Sequence, residues 1–198
     1  MIGKVSVWKD LSMVVEKGTN QDQLFIDDLC AILVRHKMIK EQDVPGLCSS
    51  FEQNSALYFE EFLLTEEFVT KENLLQALEL YYNLPSMDVV GVFFDHHLVR
   101  MFPKDVMLRN GFIPYDRDGD VLIVVASRPN NPKLAEIIGK FVSYDVTFLV
   151  GIYQDITDAV KEFYDESIEQ AELELFEDNT DEHEKHPVDD AFDKNEQD

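Results

Sequence analysis

The first half of the chain alternates apolar and polar positions with the period of a helix. Leu24, Phe25, Leu29, Ile32 and Leu33 recur at helical spacing and predict a helix over Gln21 to Arg35. A second helix is expected from Lys40 to Gln53, although Pro45-Gly46 sits awkwardly inside it. Leu57, Tyr58, Phe62 and Leu63 predict a third from Ser55 to Glu66. Thr70 is placed to cap a fourth, with Leu74, Leu75, Leu78 and Tyr82 on one side, ending near Asn83 before Leu84-Pro85. A weak internal repeat runs through these helices. Leu33-Val34, Met38-Ile39 and Val44 return thirty residues later as Leu63-Leu64, Phe68-Val69 and Leu74. Two similar helical hairpins packed side by side would bury both sets.

The second half changes period. Gly111 to Tyr115 and Val121 to Ala126 read as strands across the turn Asp116-Arg117-Asp118-Gly119-Asp120, because Asp-Gly between apolar runs is a strong hairpin signal. The unbroken apolar run Val121–Val125 suits a strand covered on both faces. Ser127 to Pro132 is a loop into a helix from Lys133 to Phe141, Asp145 to Val150 a third strand, and Asp155 the start of a closing helix with Ile156, Val160, Phe163 and Tyr164 inward. The expected fold is α+β: N-terminal helical hairpins, then a small three-stranded sheet with flanking helices. The boundaries read as a helical subdomain over 1–83, an α/β subdomain over 84–176 and a disordered acidic tail over 177–198.

Charge sharpens that division. The 198 residues hold 17 Lys and Arg against 40 Asp and Glu, a net charge of −23. Residues 1–154 carry 22 acids and 14 bases, a net of −8, whereas residues 155–198 carry 18 acids and 3 bases, a net of −15. So acidic a chain lacks the bases that release counterions from nucleic acid or bind anionic lipid. No signal-peptide core and no apolar run of membrane-spanning length appears, so a cytoplasmic protein without membrane insertion is expected. Cys30 and Cys48, eighteen apart in apolar surroundings, read as reduced, buried thiols rather than a disulfide or zinc site.

Catalytic signatures are missing. Gly139-Lys140 is followed by Phe141 and preceded by Leu134 where a phosphate-binding loop needs Gly, and no two glycines stand two apart as a dinucleotide fingerprint requires. Asp116, Asp118 and Asp120 alternate like a calcium loop, but Val121 and Ser127 replace its Gly and Glu. His96-His97 has no partner ligands nearby and reads as a structural pair, one half-buried and one exposed; His183-Glu184-Lys185-His186 falls one residue short of zincin spacing. The acid pairs Asp27-Asp28, Glu60-Glu61 and Glu66-Glu67 read as solvated faces. No catalytic residue, metal ligand or cofactor is expected, and an unrecognised enzyme remains only the weakest alternative.

The order of motifs from Glu61 to Tyr164 resembles the N-terminal domain of the type II secretion and type IV pilus assembly ATPases. It runs Leu63-Leu64, Phe68-Val69-Thr70, Leu74, Ala77-Leu78 and Tyr82-Asn83-Leu84-Pro85, then Phe102-Pro103, Gly111-Phe112-Ile113-Pro114, and Val121 to Ala126 with Pro129 and Pro132. The strand Val146 to Val150 and the closing helix complete it. The resemblance implies a domain that precedes a motor, contacts a cytoplasmic partner at the membrane platform and moves relative to the motor. Some members bind cyclic di-GMP through two tandem repeats that open Arg-Leu-Gly.

Here the repeats would span 28–51 and 58–81, opening Asp28-Leu29-Cys30 and Tyr58-Phe59-Glu60. Lys37 and Glu67 stand at the later glycine, and Phe51 and Tyr81 at the glutamine. An acid in place of arginine repels phosphate, and a side chain in place of glycine blocks backbone approach. The resemblance thus implies no cofactor site at Asp28, Cys30, Lys37, Tyr58, Glu60 or Glu67, and cyclic di-GMP is not the expected ligand. No Walker segment follows Tyr164. The expectation is a stand-alone, non-catalytic adaptor or regulator of bacterial secretion, pilus or motility machinery, docking a cytoplasmic protein through Leu84 to Phe102. A divergent cyclic di-GMP receptor is the alternative.

Overall fold

The computed structural model describes residues 20–54, 56 and 58–165. The chain divides into two compact units, Met1–Val160 and Lys161–Asp198, and the second is described only over 161–165, which are helical. The expected tail, 177–198, lies outside the described residues.

The order in the first unit is α1 (Asn20–Arg35), a 3-10 turn (Glu41–Asp43), α2 (Val44–Gln53), α3 (Phe59–Thr65), α4 (Lys71–Tyr82), α5 (His96–Val99), α6 (Lys104–Asn110), β1 (Phe112–Asp118), β2 (Val121–Ala126), α7 (Pro132–Gly139) and β3 (Asp145–Val150). A last helix, α8, begins at residue 153. The fold is α+β, as its periodicities require.

Where the elements depart from the sequence reading, the backbone supplies the reason. The helix expected from Lys40 is split, because Pro45 has no N–H to give and fits only the first turn of α2. The helix expected from Ser55 starts at Phe59. Two short helices, α5 and α6, occupy a stretch in which periodicity predicts nothing. Asp95 caps α5, its Oδ1 accepting from the His97 N–H at 2.7 Å. His96 and His97 are both exposed, not one half-buried.

The thirty-residue repeat is reproduced in the backbone. After α1, the Met38 N–H donates to the Leu33 carbonyl at 2.9 Å and that of Lys37 to Val34 at 3.0 Å. After α3, Phe68 donates to Leu63 at 2.9 Å and Glu67 to Leu64 at 3.1 Å. These are two Schellman closures, which need a left-handed residue one position past the helix cap. Lys37 (φ 61) and Glu67 (φ 56) supply it without being glycine. Thr70 then caps α4 by accepting from the Asn73 N–H at 3.3 Å.

The sheet runs β1-β2-β3. β1 and β2 form an antiparallel hairpin with a bulge between Pro114 and Asp116. Gly119 in its two-residue turn has φ +58, the sign that the first central position of a type II′ turn needs. β3 lies parallel to β2, from Val121 opposite Asp145 to Ala126 opposite Val150; a parallel return needs a crossover, and α7 provides it. The central strand is buried at Leu122 and over Val124–Ala126, whereas Ile123 is half-buried and Val121 exposed.

One apolar core joins the helical half to the sheet. Leu29, Leu33, Phe62, Leu63, Leu74 and Leu78 pack in a cluster with Val150 and Ile152. Burial of such side chains contributes roughly 1.5–3 kcal/mol each. Gly111 ends α6 at φ +60 beneath Tyr153, where a Cβ would lie 2.5 Å from Ser127 Oγ and 2.8 Å from the Tyr153 ring.

Candidate functional site

Four segments converge on a cleft of 640 Å³. Asp22, Phe25 and Asp28 come from α1, Tyr58 from the residue before α3, Tyr81 and Tyr82 from the end of α4, and Arg128, Asn130 and Asn131 from the loop after β2. The periodicities that bury Leu29, Leu33 and Leu78 leave these residues at the rim of the same packed faces.

Arg128 organises the cleft. Its guanidinium lies 5.0 Å from the centre of the Phe25 ring and 6.0 Å from that of Tyr58, within the range of cation–π attraction. One nitrogen stands 3.9 Å from an Asp22 oxygen and another 3.9 Å from Glu60 Oε1. Both are charge contacts longer than a hydrogen bond. Burial opposes the charge on Arg128, but Glu60, Tyr82 and Asp22 outweigh it and hold the guanidinium more firmly protonated.

Glu60 corrects the sequence reading. It was expected on a solvated face, yet it is 4% exposed, and its Oε2 has no hydrogen-bond partner. Burial pushes its carboxyl above the usual range, with Arg128 only partly opposing the shift. Burial likewise raises the Tyr58 and Tyr82 hydroxyls. Tyr81 is raised by burial and by the nearby Asp28 charge. The aromatic wall is continuous: Phe25 meets Tyr81 edge-on at 5.0 Å, and Tyr81 meets Tyr82 edge-on at 4.7 Å.

The degenerate repeat positions fall into two groups. Asp28 and Tyr58, at the two arginine positions, meet in this cleft, and Tyr81 joins them from a glutamine position. Glu60, at one early glycine position, is buried behind Arg128. Cys30, at the other, is buried and Cys48 is half-buried; both are free thiols. Burial pushes the Cys30 thiol up to about 12. Lys37 and Glu67 serve the helix ends and do not line the cleft. Arg128 was missed because its loop reads as a connector. The one available signal was a lone base between a buried strand and Pro129-Asn130-Asn131-Pro132.

Among the described residues, no three His, Cys, Asp or Glu side chains come together as a metal site, and no helix is long and apolar enough to cross a membrane.

Residues 82–170 match the family model described as the MshEN domain; the tandem repeat at 28–81 lies before the matched stretch. A structure of MshE with cdg is similar at 20% identity and a TM-score of 0.55, covering 69% of this chain and 98% of that one. The N-terminal domain of XpsE is similar at 14% identity and a TM-score of 0.50, covering 68% of this chain and 92% of that one. No curated protein matches.

Proposed function

We propose, from the premise that this chain carries the N-terminal domain fold of the secretion and pilus assembly ATPases, that it is a non-catalytic interaction module. It acts as an adaptor or regulator of secretion, pilus or motility machinery and binds a cytoplasmic protein. The observation that carries this reading is the state of the cleft at the family's nucleotide-motif positions. Asp28 and Tyr58 stand where two arginines would face phosphates, and Arg128 is engaged by Glu60 and Asp22. A scaffold that keeps the helix-closing turns but not the phosphate-facing groups retains the fold for another task.

The segment between α4 and α5 offers the partner a contact. Phe93 is fully exposed and Val90 61% exposed, and an exposed aromatic is the kind of side chain that anchors an interface. Affinity capture from cross-linked cells, with wild type and Phe93→Ser, tests the reading. Recovery of a secretion, pilus or motility component that weakens with Phe93→Ser supports it. Recovery of none overturns it.

A second reading has its own observation. The cleft holds an arginine and four aromatic rings, two of them, Tyr58 and Tyr81, at repeat positions, and the similar MshE structure is one with cdg; aromatic faces can stack purines. Calorimetry with cyclic di-GMP at low salt decides it. Heat that is lost in Arg128→Ala would make the chain a divergent receptor, and absence of heat ends that alternative.

A further inference from the structure

We infer that the outer edge of β3 docks an extended segment of the partner protein, which adds to the sheet as a further strand and carries lysine or arginine beside Asp145. This rests on the interaction-module reading and names how its partner is held.

The ladder fixes which backbone groups are free. The Asp145 N–H donates to the Asp120 carbonyl at 3.0 Å and the Gly151 N–H to Ala126 at 3.1 Å. Odd-numbered residues of β3 therefore bond to β2, and even-numbered ones point outward. Val150 shows the same parity from outside. Its N–H donates to the Pro85 carbonyl at 2.9 Å and its carbonyl accepts from the Met87 N–H at 2.8 Å. Pro85-Ser86-Met87 thus already lies along the end of this edge in parallel register. The N–H and C=O groups of Val146 and Phe148 point the same way and have no backbone partner among the described residues. Asp145 and Thr147 are exposed, and Val146 and Phe148 are half-buried. A row of unpaired edge groups is a template for another strand.

The opposite edge is closed to this use. The Gly111 carbonyl accepts from the Ser127 N–H at 2.9 Å, which turns Phe112 and Pro114 outward on β1. Pro114 has no N–H to offer, and the bulge beside it breaks the register. β3 has neither a proline nor a bulge.

Pattern and charge say what fits. Val150 packs into the helical core, and Val146 and Phe148 share its face by alternation. Apolar residues at every second position of the incoming strand continue that face. At the other end, Asp118 pairs with Val121 and Val121 with Asp145, so the hairpin tip sets Asp118 and Asp120 beside Asp145. All three are exposed, and none makes an ion pair among the described residues. Arg117 turns instead to the Tyr144 hydroxyl at 3.0 Å. A basic residue is favoured there, whereas a second copy of a chain of net charge −23 is repelled. The segment between α4 and α5 leaves from this same edge at Pro85-Ser86-Met87, so the two partner contacts adjoin.

The test titrates the isotope-labelled full chain with a capped peptide, Lys-Thr-Val-Thr-Val-Thr-Lys, and follows backbone amides by NMR at low salt. The Val146 and Phe148 amides should shift, and their hydrogen exchange should slow at least about tenfold. The same peptide N-methylated along one edge keeps its side chains and charge but should bind at least about tenfold more weakly. Glutamate in place of both lysines should weaken binding at least about fivefold. Val146→Pro removes an outward N–H without touching the bonds to β2 and should abolish binding. The methylated peptide leaves the protein unaltered, so it decides the question even where Val146→Pro fails to fold. Unchanged Val146 and Phe148 amides, equal binding of the methylated peptide, or equal binding of the glutamate peptide overturns the inference. So does protection of these amides that grows with protein concentration alone, which would make the edge a contact between copies. Capture of a machinery component equally by wild type and a folded Val146→Pro would remove the edge's role while leaving the interaction module intact.

Discussion

Lys37 and Glu67, thirty residues apart, hold the same left-handed backbone conformation, with φ 61 and φ 56. Each follows a helix whose last carbonyls it closes, and neither side chain favours that conformation. A Cβ there costs about 1–2 kcal/mol, so the repeat has kept its geometry at a local cost. Lys37→Gly and Glu67→Gly should each stabilise the protein by about 1 kcal/mol. Urea unfolding reads this as a raised midpoint with an unchanged slope.

The buried Glu60 carboxyl gives stability a pH dependence. Its folded-state pKa is raised above the unfolded value, so the folded state binds the proton more tightly. Its contribution is then fully present below the unfolded pKa and is lost as pH rises through the folded one. Glu60→Gln removes this titration. Its stability relative to wild type should increase as pH rises from about 4.5 upward. Unfolding curves collected across that range test the sign; a constant difference would contradict the assignment.

Gly111 should tolerate no side chain. Its φ is +60, and a Cβ would press on Ser127 Oγ and the Tyr153 ring. The Tyr153 hydroxyl donates to the Leu108 carbonyl at 3.2 Å, which ties that ring to α6. Gly111→Ala combines left-handed strain with overpacking and should cost about 3 kcal/mol. A thermal melt would show it as a large loss of Tm.

The thiols should differ in reactivity. Burial pushes Cys30 up to about 12, and Cys48 is raised by burial but is only half-covered. The thiolate is the reacting form, so iodoacetamide at mildly alkaline pH should label Cys48 first and Cys30 only on unfolding. Peptide mass spectrometry separates the two sites.

Thr70 caps α4 through Asn73. Thr70→Ala should cost about 1 kcal/mol, visible in the same urea curves.

Much of this fold is legible in the chain. The 3.6 period of Leu24 to Leu33 makes α1, the alternation of turn and apolar run makes the β1–β2 hairpin, and the recurrence of Leu33-Val34 at Leu63-Leu64 announces two like helix ends. These are local signals, set by which side chains must leave water and by which backbone groups need a cap. The short helices α5 and α6 escaped because four to seven residues are too few to display a period.

The site is another matter. Sequence determined the departures at Asp28, Cys30, Lys37, Tyr58, Glu60 and Glu67, because residue identity alone carries them. Only the tertiary structure decided what those departures do. It brought Arg128 from a distant loop over Phe25 and Tyr58, buried Glu60 behind it, and sent Lys37 and Glu67 to helix ends instead. The physical reason is range. Burial and capping act over a few residues, whereas the charge balance of a cleft depends on groups a hundred residues apart, which only the packed fold places side by side.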